Sequence, residues 1–363
     1  MKNTFGNNLT VTLFGESHGA AIGAVIDGIA PGITVDMDYI KKLLSLRRGL
    51  SAVSTPRREE DEPQILSGVF EGKTTGTPIC IVINNADTRS KDYSATKDLA
   101  RPSHADFTAE CKYHGFQDYR GGGHFSGRIT AALVAAAGIV IPALEKKGIV
   151  IGSHIAECAG IADKNFDDIL SDVKALQGKE FAVLDDNKGA QMIEAIKKAK
   201  AEGDSVGGIV ETVVTGVPAG VGEPWFDTVE GVLSHALFSV PGLKGIEFGA
   251  GFEISKMTGS TANDSFKTAN GKVVTATNNA GGINGGITNG MPIVFRAAFR
   301  PTPTIAKPQD TVNIKTFEEA TLEARGRHDP CIVHRAKVVV DSVTALALAD
   351  LLTTRYGTDW LSE

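Results

Sequence analysis

Short runs of apolar, β-branched residues recur along the chain. Runs of this length and composition are typical of β-strands. The predicted strands of the first quarter cover residues 9–14, 21–29, 64–70 and 77–84. Three more are predicted over residues 207–217, 245–255 and 291–299.

Between these predicted strands lie segments whose apolar residues recur at helical spacing. This spacing predicts a helix over 36–48 and an amphipathic, lysine-rich helix over 189–203 that ends at Gly203. The segment 129–148 is apolar nearly all round, which indicates a helix buried on most sides. A last helix is predicted near 336–355.

Two pairs of segments resemble each other in the same order. VIDGIAPG (25–32) resembles VVTGVPAG (213–220), and GKTTGTPICIVI (72–83) resembles GGITNGMPIVFR (285–296). We expect a duplicated strand–helix–strand unit, although glycine and proline turns before β-branched strands also look alike by chance. No linker separates the halves, so residues 1–363 are predicted to form a single domain.

Composition and charge narrow the class of protein. The 363 residues carry a net charge of -6, which disfavours nonspecific nucleic-acid binding. We expect no membrane span, because no apolar run reaches the required length of roughly 20 residues. The first ten residues lack the apolar h-region that a signal peptide needs. Four scattered cysteines without a CxxC pair lead us to expect reduced thiols in a cytoplasmic protein.

Arginine and lysine occupy different surroundings. Lysines crowd the helix at 188–200, whereas arginines lie beside glycine, proline, serine and histidine. A guanidinium in such a turn suits bidentate capture of phosphate or carboxylate. For any one arginine a structural ion pair is the better interpretation, but the group as a whole predicts a site for small anions.

RGGGHFSGR (120–128) has the composition of an anion-binding turn. Its glycines let backbone N–H groups approach a ligand, and the predicted helix that follows adds a positive N-terminal end. Arg120 and Arg128 bracket the turn, and Ser126 adds a hydroxyl.

Three histidine motifs suggest acid–base chemistry: FGESHG (14–19), RPSHAD (101–106) and RGRHDP (325–330). GESHG also matches the nucleophile elbow of serine hydrolases, but that elbow needs a following helix and a strand is predicted there. A metal site is disfavoured, because no HExxH occurs and the nearby arginines would repel a cation.

Nucleotide-type cofactors have no standard motif in this chain, since neither a Rossmann GxGxxG in context nor a P-loop is present. NNAGGINGGITNG (278–290) followed by RPTPT (300–304) is the remaining candidate. It could wrap a flat, phosphate-bearing molecule through backbone contacts. A mobile glycine loop is an equally good interpretation of the same residues.

Taken together, these motifs resemble the chorismate synthase family over nearly the whole chain. The residues that carry the resemblance are FGESHG (14–19), RPSHADFTAECKY (101–113), RGGGHFSGR (120–128), GVPAGVGEP (216–224), NNAGGINGGI (278–287), RPTPT (300–304) and GRHDP (326–330).

The resemblance implies an α+β fold, a β-α-β sandwich with helices between two antiparallel sheets. It implies a lyase that converts 5-enolpyruvylshikimate 3-phosphate to chorismate and phosphate by 1,4-elimination, in the shikimate pathway of aromatic amino acid biosynthesis. Reduced FMN is the implied cofactor, without net redox change. A cytoplasmic homotetramer and an association with NADP are implied as well. Because the large insertions of self-reducing members are absent, we expect an external flavin reductase.

Matching motifs also implies site residues. His18 and His104 match the family's active-site histidines, one assisting the departing phosphate and the other acting on the proton balance of the flavin. Asp329 matches an aspartate that relays a proton, and Ser17 and Ser126 match supporting serines. The implied substrate clamp is Arg47, Arg48, Arg101, Arg128 and Arg327, and the implied flavin contacts are His124, Phe125, Ser126, Gly285, Arg300, Pro301, Thr302, Pro303, Thr304 and Arg327.

Two departures from the family pattern stand out. Many members have Arg-Ser-Ser after the triple glycine, where this chain has His124-Phe125-Ser126, so one positive charge is replaced by a histidine. The basic RRRPG stretch is LRRGL (46–50) here, which leaves the register of Arg47 and Arg48 open by one residue. A serine hydrolase centred on Ser17 and a noncatalytic flavin- or anion-binding protein are the competing hypotheses.

Overall fold

The chain folds around two five-stranded antiparallel sheets. The structure is a computed structural model that describes residues 2–48, 53–54, 61–85, 97–323 and 329–362. The first sheet, in spatial order, consists of β1 (Thr4–Phe5), β2 (Thr10–Gly15), β3 (Ala21–Asp27), β7 (Ile79–Asn84) and β4 (Pro63–Ser67). The second consists of β11 (Leu243–Phe248), β16 (Ile293–Phe299), β10 (Gly208–Thr215), β8 (Val150–Cys158) and β9 (Ile161–Ala162).

Short two-stranded hairpins form separately from these two sheets. They are β5 (Val69–Phe70) with β6 (Lys73–Thr74), β12 (Phe266–Ala269) with β13 (Lys272–Thr275), β14 (Ile283–Asn284) with β15 (Ile287–Thr288), and β17 (Gln309–Val312) with β18 (Glu319–Leu322). The helices are α1 (Met37–Leu46), α2 (Asp106–Tyr113), α3 (Thr130–Lys146), α4 (Ile169–Leu176), α5 (Asp186–Ala201), α6 (Val229–Leu237), α7 (Gly259–Ala262) and α8 (Val333–Tyr356).

Each sheet turns one apolar face inward, because side chains alternate between the two faces of a strand. In the first sheet Ile22 pairs with Ile83 and Ile26 with Ile79, and all four are fully buried. In the second sheet Thr212 pairs with Phe295, and both side chains are again buried. The core therefore lies between the sheets.

Helices α3 and α8 fill that space. They pack against each other, with α3 lying on β3 and β7 and α8 lying on β8 and β10. The segment Gly127–Lys146 is long and apolar enough to cross a membrane, contrary to the expectation that no run reaches that length, but 89% of its apolar window is buried inside the protein. Burial between two sheets explains its all-round apolar character, which is that of a core helix.

The predicted internal duplication is confirmed by the strand orders. The series β2, β3, α1, β4, β7, α3 is repeated as β8, β10, α6, β11, β16, α8. In the first half β3 pairs with β2 and β7, and β4 also pairs with β7. In the second half β10 pairs with β8 and β16, and β11 also pairs with β16. The predicted arrangement of helices between two antiparallel sheets is likewise observed.

The element predictions need correction in three places. The strand predicted over 245–255 ends at Phe248 and continues as a 3-10 helix from Gly251 to Lys256, because two glycines with positive φ turn the backbone. Strand β8 and helices α2, α4 and α6 were not predicted. The glycine-rich stretch 278–290 contains the hairpin β14–β15.

Candidate active site

Ser17 and His18 lie in the tight turn between β2 and β3. The turn leads directly into a strand, so the helix that a serine-hydrolase elbow requires is not there. The Ser17 N–H donates to the Gly123 carbonyl at 3.0 Å, and the Ser17 hydroxyl lies 3.1 Å from Nδ1 of His18. Both side chains are buried.

The triple glycine makes room for these two side chains. Gly121 has φ of +63°, and a Cβ atom there would lie 2.4 Å from Cε1 of His18. No side chain larger than hydrogen fits at that separation. His124 completes the contact between the two segments, since its Nδ1 lies 2.7 Å from the Gly15 carbonyl oxygen. RGGGHFSGR thus packs directly on the FGESHG turn.

Arg47 and Arg128 meet at a buried carboxylate, that of Asp61. The Arg128 guanidinium donates to one oxygen of Asp61, and Arg47 lies 3.5 Å from the other. Each arginine side chain is 7% exposed and Asp61 is 1% exposed. Arg47 also donates to the Gly127 carbonyl at 2.7 Å and to the Thr130 hydroxyl at 2.9 Å. These bonds tie the end of α1 to the start of α3.

Ser126 sets the backbone at this position. Its hydroxyl accepts a hydrogen bond from the Arg128 N–H at 3.2 Å, as an N-cap does at the start of a helical turn. Phe125, beside it, packs edge-on against Tyr113 with 6.0 Å between ring centroids, and is 41% exposed. Arg120 forms a bidentate pair with Asp118.

The other residues near Arg47 differ in their placement. Arg48 is exposed, so of the two arginines in LRRGL it is Arg47 that lies beside Arg128. Arg335 joins the Asp329 carboxylate to the Arg47 carbonyl, to which it donates at 2.9 Å. Arg327 and His328 lie outside the described residues. We call Ser17, His18, Arg47, Asp61, Asn85 and Arg128 the hairpin cluster.

A second group of side chains forms around RPTPT. Arg101 and Asp106 form a bidentate ion pair, with N–O distances of 2.8 Å from Nε and 2.7 Å from the terminal nitrogen. His104 lies between the Pro102 carbonyl and the Thr304 hydroxyl. We call Arg101, His104, Asp106, Arg300 and Thr304 the RPTPT cluster.

The protonation state of His104 follows from its partners. Nδ1 lies 3.2 Å from the Pro102 carbonyl, which can only accept, so Nδ1 carries a hydrogen. Burial, and then the charges of Arg101 and Arg300, lower the pKa of His104 to about 4. The ring is therefore neutral at pH 7, and its Nε2 accepts a hydrogen bond from Thr304 at 2.9 Å.

Helix α2 spans the gap between the two clusters. It begins at Asp106 in the RPTPT cluster and ends at Tyr113, which packs on Phe125 beside the hairpin cluster. An eight-residue helix is about 12 Å long. The described contacts bring Ser17, His18, Ser126, Arg47 and Arg128 together, and place Arg101, His104 and Thr304 in a neighbouring group.

Several polar groups near RPTPT suit a phosphate-bearing ligand. Nε of Arg300 and the hydroxyl of Thr302 are buried and have no hydrogen-bond partner among the described residues, a costly arrangement that a ligand would relieve. Burial lowers the pKa of Arg300. At Gly285 a Cβ atom would meet nothing within 4 Å, so the space beside the glycine hairpin is open. Pro301 and Pro303 fix the backbone φ angle at two positions of this segment.

Asp61 and Asn85 were not identified from the sequence. Asp61 lies within an acidic stretch (59–62) that looks like solvated surface, and nothing local predicts that it is buried between two arginines. Asn85 follows the predicted strand 77–84 directly, and a polar residue at a strand end is a signal that could have found it. Among the described residues, no three His, Cys, Asp or Glu side chains are grouped to hold a metal ion.

Comparison with known proteins gives a consistent result. Residues 9–353 match the family model described as chorismate synthase. A chorismate synthase of Thermococcus kodakarensis is 45% identical over 96% of this chain and 97% of its own length. One from Pyrococcus abyssi is 47% identical over the same shares, and one from Chitinophaga pinensis is 48% identical over 96% of each.

A solved structure supports the same relationship. A crystal structure of chorismate synthase superimposes with a TM-score of 0.77 at 30% sequence identity, over 98% of this chain and 94% of that one.

Proposed function

This chain belongs to the chorismate synthase family and is a lyase of aromatic amino acid biosynthesis, and on that premise we propose its substrate, cofactor and residue roles. The substrate is 5-enolpyruvylshikimate 3-phosphate, which loses phosphate from C3 and a hydrogen from C6 in a 1,4-elimination. The products are chorismate and inorganic phosphate. No net oxidation or reduction accompanies the reaction.

The observation that carries the proposal is the pair of buried guanidinium groups beside Ser17 and His18. Arg47 and Arg128 meet at Asp61 in a region shielded from water, where charged hydrogen bonds are strong. A substrate with one phosphate and two carboxylates needs such forked donors. Arg101 supplies a third guanidinium from the RPTPT cluster, and we assign Arg327 to the same clamp.

The two histidines take different roles in this proposal. His104 is neutral at pH 7 and holds its only ring hydrogen on Nδ1, so Nε2 can accept a proton. His18 lies next to Ser17 and within the hairpin cluster, so we assign it to the departing phosphate, with Ser17 and Ser126 in support. Asp329, bonded to Arg335, is assigned as a proton relay.

Reduced FMN is the proposed cofactor, and when bound it supplies electron density to the substrate. The buried polar groups of Arg300 and Thr302, together with Thr304 and the open space at Gly285, would hold it. His124, Phe125 and Ser126 would contact it from the other side. The Phe125 ring offers an exposed aromatic face for a flat ring system.

The decisive experiment is anaerobic phosphate release from the enolpyruvyl substrate with photoreduced FMN. We expect stoichiometric phosphate and chorismate with reduced FMN, and neither with oxidised FMN. Flavin binding without phosphate release would contradict the proposal and favour a binding protein. Stoichiometric labelling of Ser17 by a fluorophosphonate would favour a hydrolase instead.

We also propose that reduced FMN comes from an external flavin reductase. NADPH with oxidised FMN should then give no turnover until a reductase is added, and turnover without a reductase would refute this.

A cytoplasmic homotetramer is proposed as well. Trp225, Phe226 and Phe252 are each at least 80% exposed, as interface residues are before assembly. Light scattering should give four times the mass of one chain.

A further inference from the structure

Asn85 lies immediately after β7 and touches both parts of the hairpin cluster. Its backbone N–H donates to the Ala20 carbonyl at 3.0 Å. Its side-chain Nδ2 donates to the carbonyls of Glu16 and Gly19, each at 2.9 Å. These acceptors lie on either side of Ser17 and His18 in the chain. Asn85 therefore binds both ends of the turn that carries the two proposed active-site residues.

The other end of the same amide contacts the substrate clamp. The Asn85 Oδ1 accepts a hydrogen bond from Nε of Arg128 at 3.1 Å. The amide orientation is determined by these partners, because carbonyls require the NH2 end and a guanidinium requires the oxygen end. Among the described residues, Asn85 bonds both the turn of Ser17 and His18 and the guanidinium of Arg128.

We propose that Asn85 is a positioning residue that holds the Ser17–His18 turn and the Arg128 guanidinium in one fixed relative geometry. Neither a carboxylate nor an alkyl side chain can do this. Aspartate would keep the acceptor for Arg128 but would place an oxygen against two carbonyl oxygens. Alanine would remove both contacts and leave two turn carbonyls without their donor.

This difference separates the two functions of the amide. In Asn85→Asp the turn is released while Arg128 keeps its acceptor, so kcat should fall about 10-fold to 100-fold with KM close to that of the wild type. In Asn85→Ala both are released, so kcat should fall similarly and KM should also rise about 10-fold. A purely structural role would give no such separation of kcat from KM.

The neighbouring Asn84 provides the matched control. It is the last residue of β7 and is exposed, so Asn84→Ala should leave kcat and KM unchanged. Hydrogen–deuterium exchange of the full chain gives a second readout. Amides of residues 16–20 should exchange faster in Asn85→Asp and Asn85→Ala than in the wild type or in Asn84→Ala.

The kinetic readout rests on the proposed function, and the exchange readout does not. Wild-type protein that releases no phosphate would refute the proposed function. The hydrogen–deuterium exchange rates of residues 16–20 would then decide by themselves whether Asn85 holds the turn. Wild-type kcat and wild-type exchange in both Asn85 variants would overturn the inference. If Asn85→Ala does not fold, the isosteric Asn85→Asp decides on the same measurements.

Discussion

His18 and His104 show how the same residue type acquires different surroundings at one candidate site. His18 lies against a serine hydroxyl in a turn that only glycine at position 121 can cover. His104 is enclosed beside two arginines, which holds its pKa near 4. Burial and neighbouring positive charge, not residue identity, therefore keep His104 neutral at pH 7.

The low pKa of His104 makes a prediction about stability. Because the folded-state pKa of about 4 lies below the unfolded value of roughly 6.5, the unfolded chain binds a proton first as the pH falls. Wild-type stability should therefore decrease between about pH 6.5 and 4 by on the order of 3 kcal/mol from this group. His104→Asn should lack that part of the decrease in urea denaturation measured across this range. Parallel pH profiles of the two proteins would contradict it.

Asp329 gives a second prediction at the residue scale. Its carboxylate is bonded to Arg335, which in turn contacts the backbone of Arg47. Asp329→Asn keeps the shape but removes the proton acceptor, so kcat should fall by about 10² to 10⁴ while flavin and substrate still bind. Stopped-flow turnover and flavin titration measure the two separately. Asp310→Asn on the exposed part of β17 is the control, and near-normal turnover of Asp329→Asn would remove Asp329 from the mechanism.

At the scale of elements, a buried ionic group connects strands of the second sheet. His154 on β8 lies 2.8 Å from the Asp163 carboxylate and 3.0 Å from that of Glu211 on β10. Asp163 also accepts hydrogen bonds from the backbone N–H groups of Leu184 and Asp185, just before α5. Burial opposes the charge of His154, but the two carboxylates outweigh it and raise the pKa of His154.

This raised pKa determines the pH dependence of the group. Its stabilisation is fully present below the unfolded pKa of about 6.5 and is lost as the pH rises through the higher folded value. His154→Leu should therefore cost about 3 kcal/mol at pH 6, and the difference from the wild type should shrink at higher pH. Guanidinium unfolding at several pH values tests this. A difference that does not vary with pH would argue for packing alone.

At the scale of the whole molecule, the two halves of the duplication share one hydrophobic core. Cys158 at the end of β8 and Cys331 just before α8 are 173 residues apart, yet their sulfur atoms lie 3.7 Å from each other. That separation exceeds the roughly 2.05 Å of a disulfide, and all four cysteines are free. Both of these thiols are buried, whereas Cys111 is exposed.

Thiol reactivity should therefore report on the global fold. Under native conditions a thiol reagent should modify Cys111 quickly, and Cys158 and Cys331 only at the rate of unfolding. Mass spectrometry of time points in the native protein, with Cys111→Ser as control, identifies the modified sites. Equal native rates at Cys111 and Cys331 would show that the interface between the halves opens locally.

Local signals in the sequence account for many of the elements and for several site residues. Runs of β-branched residues and helical spacing predicted β3, β7, β10, β16, α1, α3, α5 and α8 close to their observed bounds. The triple glycine, the GESHG turn and Arg128 stood out because glycine and arginine have specific local uses. Short helices such as α2 and α6 were missed, because tertiary packing stabilises them more than their own pattern does.

The sequence by itself determined the alternating elements, their duplication and the family, since these depend on residue order alone. Tertiary structure decided which charges became partners. Asp61 lies between Arg47 and Arg128, and Asn85 lies between Arg128 and the Ser17–His18 turn, across 14 to 69 residues of chain. Hydrogen bonds act over about 3 Å in space, so no local pattern along the chain encodes them.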